Sequence, residues 1–146
     1  MTTSVPPVNG RAIGLAHYAS RAALERVLAR SGTTFEQSVA LRAVSDDGGT
    51  AERARVVGRL SDGLKIEESA ARRAVEEMTA LKLLEEPTPH QVSLTDAGRE
   101  LFESIRTAGD DIAARVYAGI PAEDLATAGR VLALVTERAN AELAGA

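Results

Sequence analysis

The 146-residue chain contains no cysteine and no tryptophan, and its whole aromatic complement is Tyr18, Phe35, Phe102 and Tyr117. Without cysteine there is no disulfide framework, no thiolate zinc site, no cysteine nucleophile and no thiol redox sensor. So few aromatics leave the core to Leu, Val, Ile and Ala, a set that suits close helix packing. Histidine is almost as scarce, with only His17 and His90. No HExxH, GxSxG or P-loop pattern occurs, so the common hydrolase and nucleotide-hydrolase signatures are missing. These absences point away from an enzyme, and no catalytic residue, metal or cofactor is expected. No apolar run approaches the roughly 20 residues of a membrane helix. Residues Met1 to Asn9 lack the charged start and apolar run of a secretory signal. A cytoplasmic protein with no membrane partner is the expectation.

What is present is 45% apolar and 26% charged, with a net charge of −4. That balance supports a folded domain rather than a disordered chain. The acidic total argues mildly against nucleic acid, but phosphate binding depends on local clusters of cations. Residues 50–100 hold eight of the 17 basic side chains, interleaved with ten acidic ones.

Apolar periodicity predicts six helices. The first runs from Gly10 to about Arg30, with Ile13, Ala16, Ala23, Leu24, Val27 and Leu28 on one stripe, and stops at Ser31-Gly32. Thr34-Phe35-Glu36-Gln37 reads as a capping box opening the second helix. A third, short helix is expected from about Thr50 to Leu60, ending at Ser61-Asp62-Gly63. The fourth is expected from Glu67 to Lys82, burying Ala71, Ala74, Val75, Met78 and Leu81. Leu83–Glu86 and Gln91–Leu94 are short extended runs around Pro87-Thr88-Pro89-His90, the pattern of a two-stranded hairpin. Thr95-Asp96 opens a long helix with Leu101, Ile105, Ala108, Ile112, Val116 and Ile120 on one side. Pro121, Glu123 and Asp124 start a last helix, proline and acids both at its positive end.

The last 45 or so residues form two helices with more apolar surface than a small middle region can cover, and the first helix has a similar stripe. A homodimer built from both termini is expected. The fold class is mainly α with a small β-hairpin wing. A flexible arm is expected at 1–9, dimerisation helices at 10–33 and 100–146, and a winged helix-turn-helix region at 34–99.

A helix-turn-helix followed by a two-stranded wing is a DNA-binding unit whose second helix enters the major groove. Several segments make the chain resemble the multiple antibiotic resistance regulator (MarR) family of winged-helix transcription factors. Val92-Ser93-Leu94-Thr95-Asp96-Ala97-Gly98 resembles the family's "vsLTxxG" junction after the wing. Thr34 to Gln37 with Leu41 resembles the "LTxxQxxvL" opening of the second helix, and Ser69 to Val75 stands where the family has "STVTRLV". Ile120-Pro121-Ala122-Glu123 resembles the start of the final helix. The resemblance implies an obligate dimer, a palindromic double-stranded DNA operator, and repression relieved by a small aromatic or phenolic effector. Two positions depart from the pattern: Glu85 to Gln91 contains no arginine or lysine, and Lys82 replaces the family's glycine after the recognition helix.

Ser69, Arg72 and Arg73 fall opposite the buried stripe of the fourth helix, where guanidinium groups read guanine edges or grip phosphate. The same face also suits a solvated stripe, with Glu68 and Arg72 as an i,i+4 pair. Arg53, Arg55 and Arg59 on the third helix, and Lys65 in the turn, are candidate phosphate contacts. His17 and Tyr18 lie where the resemblance puts a ligand pocket, with Arg11 and Arg21 as candidates for a ligand carboxylate; a packed or surface histidine is the alternative. The rival function is a winged-helix dimer without DNA binding, acting as a ligand-binding or protein-interaction module.

Overall fold

A computed structural model of the chain describes residues 4–145. Of the N-terminal arm expected at 1–9, Met1–Thr3 lie outside the described residues, and Ser4–Asn9 form neither helix nor strand. Helix α1 spans Gly10–Leu28, opened by the Asn9 side chain, which accepts a hydrogen bond from the Ala12 N–H at 2.8 Å. A single 3-10 turn follows, and Gly32 closes it in the left-handed region with φ 67°. Helix α2 spans Phe35–Asp46 and starts with the expected capping box. The Thr34 hydroxyl accepts from the Gln37 N–H while the Gln37 side-chain Oε1 accepts from the Thr34 N–H, both at 3.1 Å.

The next segment differs from the sequence expectation. Thr50–Glu52 is a strand, β1, and helix α3 occupies Arg53–Leu64. The strand is short, and its partner lies some 40 residues later, so no local periodicity announces it. Its pairing with Gln91–Leu94 (β3) sets Thr50 opposite Ser93 and buries Ala51 opposite Val92. The two hydroxyls, Thr50 Oγ1 and Ser93 Oγ, lie 2.7 Å apart. The two-stranded hairpin is therefore the outer part of a three-stranded antiparallel sheet, ordered β1-β3-β2, with β2 at Leu84–Glu85. Helix α3 also runs through Ser61-Asp62-Gly63 instead of stopping there. Its stop is Lys65, which takes the left-handed conformation (φ 57°) and donates its N–H to the Ser61 carbonyl.

Helix α4 covers Glu68–Ala80 and buries Ala71, Ala74, Val75 and Met78 as its periodicity predicts. Leu81 does not join them and is 60% exposed. The helix has ended by then, and Lys82 turns the chain with φ 61°. A left-handed residue costs a side chain roughly 1–2 kcal/mol that glycine does not incur. Lys82→Gly is therefore expected to stabilise the protein by a few tenths to about 1 kcal/mol, after the flexibility glycine adds to the unfolded chain is offset. Chemical denaturation would read this as a higher midpoint at unchanged slope.

Thr95 locks the exit from the sheet: its hydroxyl donates to the Lys82 carbonyl at 2.7 Å and accepts from the Gly98 N–H at 3.0 Å. Helix α5 follows at Asp96–Val116, and α6 covers Ala122–Gly145. Ile120, expected on the α5 stripe, lies beyond the helix end in a turn that uses Gly119 at φ 77°, and it is exposed.

The chain divides into a unit ending at Ile112 and another beginning at Ala113. The first holds the core, in which Leu28, Leu41, Leu60, Met78, Leu84 and Val92 are fully buried. Phe35, Leu101 and Phe102 pack against that core partly buried. The second contains α6, none of whose described residues is buried; Leu125, Val131, Leu132, Leu134 and Val135 are exposed apolar side chains on it. No helix among the described residues is long and apolar enough to cross a membrane.

Candidate nucleic-acid interface

Helices α3 and α4 meet across the turn at Lys65, and the amphipathic pattern of α4 decides what it presents. The side chains at 71, 74, 75 and 78 are buried against the core, so Ser69, Arg72, Arg73 and Glu76 are left exposed on the other side. A helix held by one face and open on the other is what insertion into a groove requires.

The charges on this surface are mostly paired. Arg72 binds Glu68 one turn before it, with both side chains more than half exposed. Arg53 binds Glu86 of the wing. Arg55 Nε is 3.3 Å from Asp47, and Arg59 Nη2 is 3.1 Å from Asp46, so both arginines tie α3 to the end of α2. Among the described residues, Arg73 and Lys65 form no ion pair. Exposed pairs of this kind contribute only about 0.2–1 kcal/mol. The exposed Arg72–Glu68 pair leaves Arg72 able to exchange its partner for another anion, whereas Arg53 Nε and Nη2 are buried.

The structure thus brings the sequence candidates together in two sets. Ser69, Arg72 and Arg73 share the open side of α4. Arg55 and Arg59 flank a cavity of about 600 Å³ between α2 and α3, together with Val39, Arg42 and Asp62. Arg42 was not among the sequence candidates. It lies four residues before Asp46 on α2, and only the packing of α2 on α3 brings it beside the other two arginines. A second cavity of about 580 Å³ opens between α3, α4 and the wing, lined by Arg53, Arg72 and His90 among others.

The candidates on α1 are arranged differently. His17 and Tyr18 are exposed, with ring centroids 5.9 Å apart. Arg21 is committed to structure: it binds Glu25 at 2.9 Å and Glu36 at 3.5 Å, and its guanidinium lies 4.2 Å over the Phe35 ring. Arg11 is exposed. None of the four lines either cavity just described.

One contact links α4 to the start of α2. Gln37 is 4% exposed, and its Nε2 donates to Glu77 Oε2 at 2.8 Å. Sequence reading recognised Gln37 as a helix cap but not this second bond, because its partner lies 40 residues away.

No family model matches the chain, and no curated protein matches it in sequence. Solved structures do match. The regulator BpsR of Bordetella bronchiseptica superposes with a TM-score of 0.72 at 23% identity, covering 87% of this chain and 97% of that one. Ligand-free NadR gives 0.75 at 16% identity, with 92% and 98% covered. The reduced form of MarR from E. coli gives 0.67 at 20% identity, with 90% and 95% covered. DNA binding by BpsR is regulated by 6-hydroxynicotinic acid, and another NadR structure holds 4-hydroxyphenylacetate. The chain has the winged helix-turn-helix fold of these regulators.

Proposed function

We propose that this protein is a homodimeric, DNA-binding transcriptional regulator, a repressor whose grip on a palindromic operator is released by a small aromatic or phenolic molecule. The observation that carries the reading is α4: one side buried in a helix-turn-helix, the other open and bearing Ser69, Arg72 and Arg73. In this reading residues 34–99 are the DNA-binding region, and Arg53, Arg55, Arg59 and Lys65 hold phosphates. Residues 10–33 and 100–146 supply the dimer. The exposed apolar side chains of α6 support that part, since a second copy is what such a helix would bury them against. An operator with two-fold symmetry follows from a symmetric dimer. The effector is drawn from the company the fold keeps, a hydroxynicotinic acid for BpsR and a hydroxyphenylacetate for NadR. His17, Tyr18, Arg11 and Arg21 are its proposed contacts.

The test is fluorescence anisotropy of labelled duplex from the upstream region of this protein's own gene, against scrambled duplex, at two salt concentrations. Specific binding that weakens with salt is expected. Arg73→Ala is expected to cost about 1–3 kcal/mol on the specific duplex if Arg73 reads a base, with discrimination lost at one position. A uniform loss on both duplexes, with a shallower salt dependence, would instead assign Arg73 to phosphate.

A second reading is a winged-helix dimer that does not bind DNA and works through a ligand or a protein partner. The pairing of Arg53, Arg55, Arg59 and Arg72 with carboxylates favours it. Absence of binding to either duplex at low salt is its signature.

A further inference from the structure

The capping box that opens α2 needs only an acceptor at its last residue, and glutamate or glutamine serves there equally. Gln37 does more than accept. Its Oε1 takes the Thr34 N–H, and its Nε2 donates to Glu77 Oε2 on α4 at 2.8 Å. A glutamate at position 37 could make the first bond but not the second, because a carboxylate has no hydrogen to donate. We propose that the Gln37–Glu77 bond sets the rotation of α4 about its own axis, and that these two residues thereby govern which DNA sequence the protein selects, by orienting α4 and not by contacting a base. The proposal rests on the DNA-binding reading and adds to it a pair of positioning residues behind Ser69, Arg72 and Arg73.

Two kinds of contact hold α4 to the rest of the fold. Ala71, Ala74, Val75 and Met78 are buried in the core, and two of these four carry only a methyl group. Apolar burial is non-directional, so it fixes the depth of the helix better than its rotation. Hydrogen bonds are directional. Among the described residues, Gln37–Glu77 is the only side-chain hydrogen bond from α4 to another element. The other two on the helix, Arg72 to Glu68 and Thr79 to the Val75 carbonyl, run within it. Glu77 stands four residues after Arg73, so a bond at position 77 acts one turn from the exposed guanidinium groups. A helix with its side chains is about 10–12 Å across, so a rotation of about 10° carries a side-chain tip about 1 Å sideways. Binding groups tolerate only about 0.5 Å of such displacement.

The experiment measures binding of the full chain to labelled upstream and scrambled duplex, with thermal unfolding alongside. The variants are Glu77→Gln, Glu77→Ala, Gln37→Glu, and Gln37→Glu combined with Glu77→Gln. Glu77→Gln and Glu77→Ala delete the same charge, but only glutamine keeps an acceptor for Gln37, so their difference isolates the bond from electrostatics. Glu77→Gln is expected to keep the wild-type ratio of specific to scrambled affinity. Glu77→Ala and Gln37→Glu are expected to lower that ratio roughly tenfold, the size of one misplaced base contact. The combined variant exchanges donor and acceptor, and the ratio should return. A bond that matters only for stability would move the melting temperature and leave the ratio alone. That result, or equal ratios for Glu77→Gln and Glu77→Ala, overturns the proposal. So does a combined variant that stays at the level of Gln37→Glu.

A second arm needs no DNA. The chain has no cysteine, so Arg42→Cys on α2 and Glu76→Cys on α4, both at exposed positions, can carry a pair of spin labels. Dilution with unlabelled chain removes distances between copies. Glu77→Ala is expected to broaden the distribution of distances between the two labels, and Glu77→Gln to leave it unchanged. If the wild type binds specifically but the ratios do not follow the bond, the proposal is overturned and the DNA-binding reading stands. If no duplex binds specifically, the DNA-binding reading fails, and the label distances decide whether the bond orients α4. Equal widths in Glu77→Gln and Glu77→Ala would then overturn it as well.

Discussion

Gly98→Ala is expected to destabilise the protein by about 3 kcal/mol, lowering its thermal midpoint by about 10 °C. Position 98 lies in the first turn of α5, directly under the chain that leaves α4. A methyl group built there would overlap the Leu83 carbonyl oxygen and stand 3.0 Å from its carbon. Neither side can yield cheaply. The Leu83 carbonyl accepts the Thr95 N–H at 3.1 Å, and the Thr95 hydroxyl is shared between the Lys82 carbonyl and the Gly98 N–H. Moving either backbone therefore breaks bonds that join the wing to α5. Gly109, also on α5, has open space where its Cβ would be, so Gly109→Ala is expected to be neutral or to stabilise by up to about 1 kcal/mol. Thermal unfolding followed by circular dichroism measures both. A Gly98→Ala protein that melts with the wild type would mean that Leu83 does not overhang position 98.

The second large effect is a contrast between two leucines. Leu60 has no exposed surface and sits in the core with Leu41 and Met78. Leu60→Ala removes three buried carbon atoms and leaves a cavity, at an expected cost of about 3–4 kcal/mol. Leu81, which helical spacing assigns to the same interior, is exposed just past the end of α4. Leu81→Ala is expected to change stability by no more than about 0.5 kcal/mol. Urea unfolding of the two variants separates them. Equal costs would put Leu81 back inside the core.

That contrast marks the boundary between what was legible in the sequence and what was not. Features governed by neighbours within a turn or two were readable. The Thr34–Gln37 capping box, the stop at Gly32 and the buried stripe of α4 from Ala71 to Met78 all depend on local spacing. Features governed by distant partners were not. Strand β1 exists because Ala51 fits against Val92, and Thr50–Glu52 by itself carries too few residues to declare a strand. The ends of α3 and α4 were misjudged for a related reason. In both places a lysine takes the left-handed conformation usually left to glycine, so Gly63 and the expected stripe position Leu81 pointed to the wrong residues.

The candidate interface divides the same way. That Ser69, Arg72 and Arg73 share one side of a helix follows from their spacing, and the structure leaves that side open. Their pairing state does not follow from spacing. Only the Arg72–Glu68 pair lies within one helix, whereas Arg53 meets Glu86 across the fold, and Arg55 and Arg59 meet Asp47 and Asp46 on another helix. The bond from the Arg53 N–H to the His90 carbonyl is likewise a matter of tertiary structure.

Gln37 has a mechanical consequence. Its two ends span a joint: one is fastened to the first residue of α2's cap, the other to Glu77 in the third turn of α4. Being almost wholly buried, the amide has no water to fall back on if either bond opens. Gln37 thus pins the third turn of α4 to the start of α2, like a rudder pinned to its tiller. A tilt at the beginning of α2 would therefore be felt at α4 through a directional bond as well as through the apolar packing of Ala71, Ala74, Val75 and Met78.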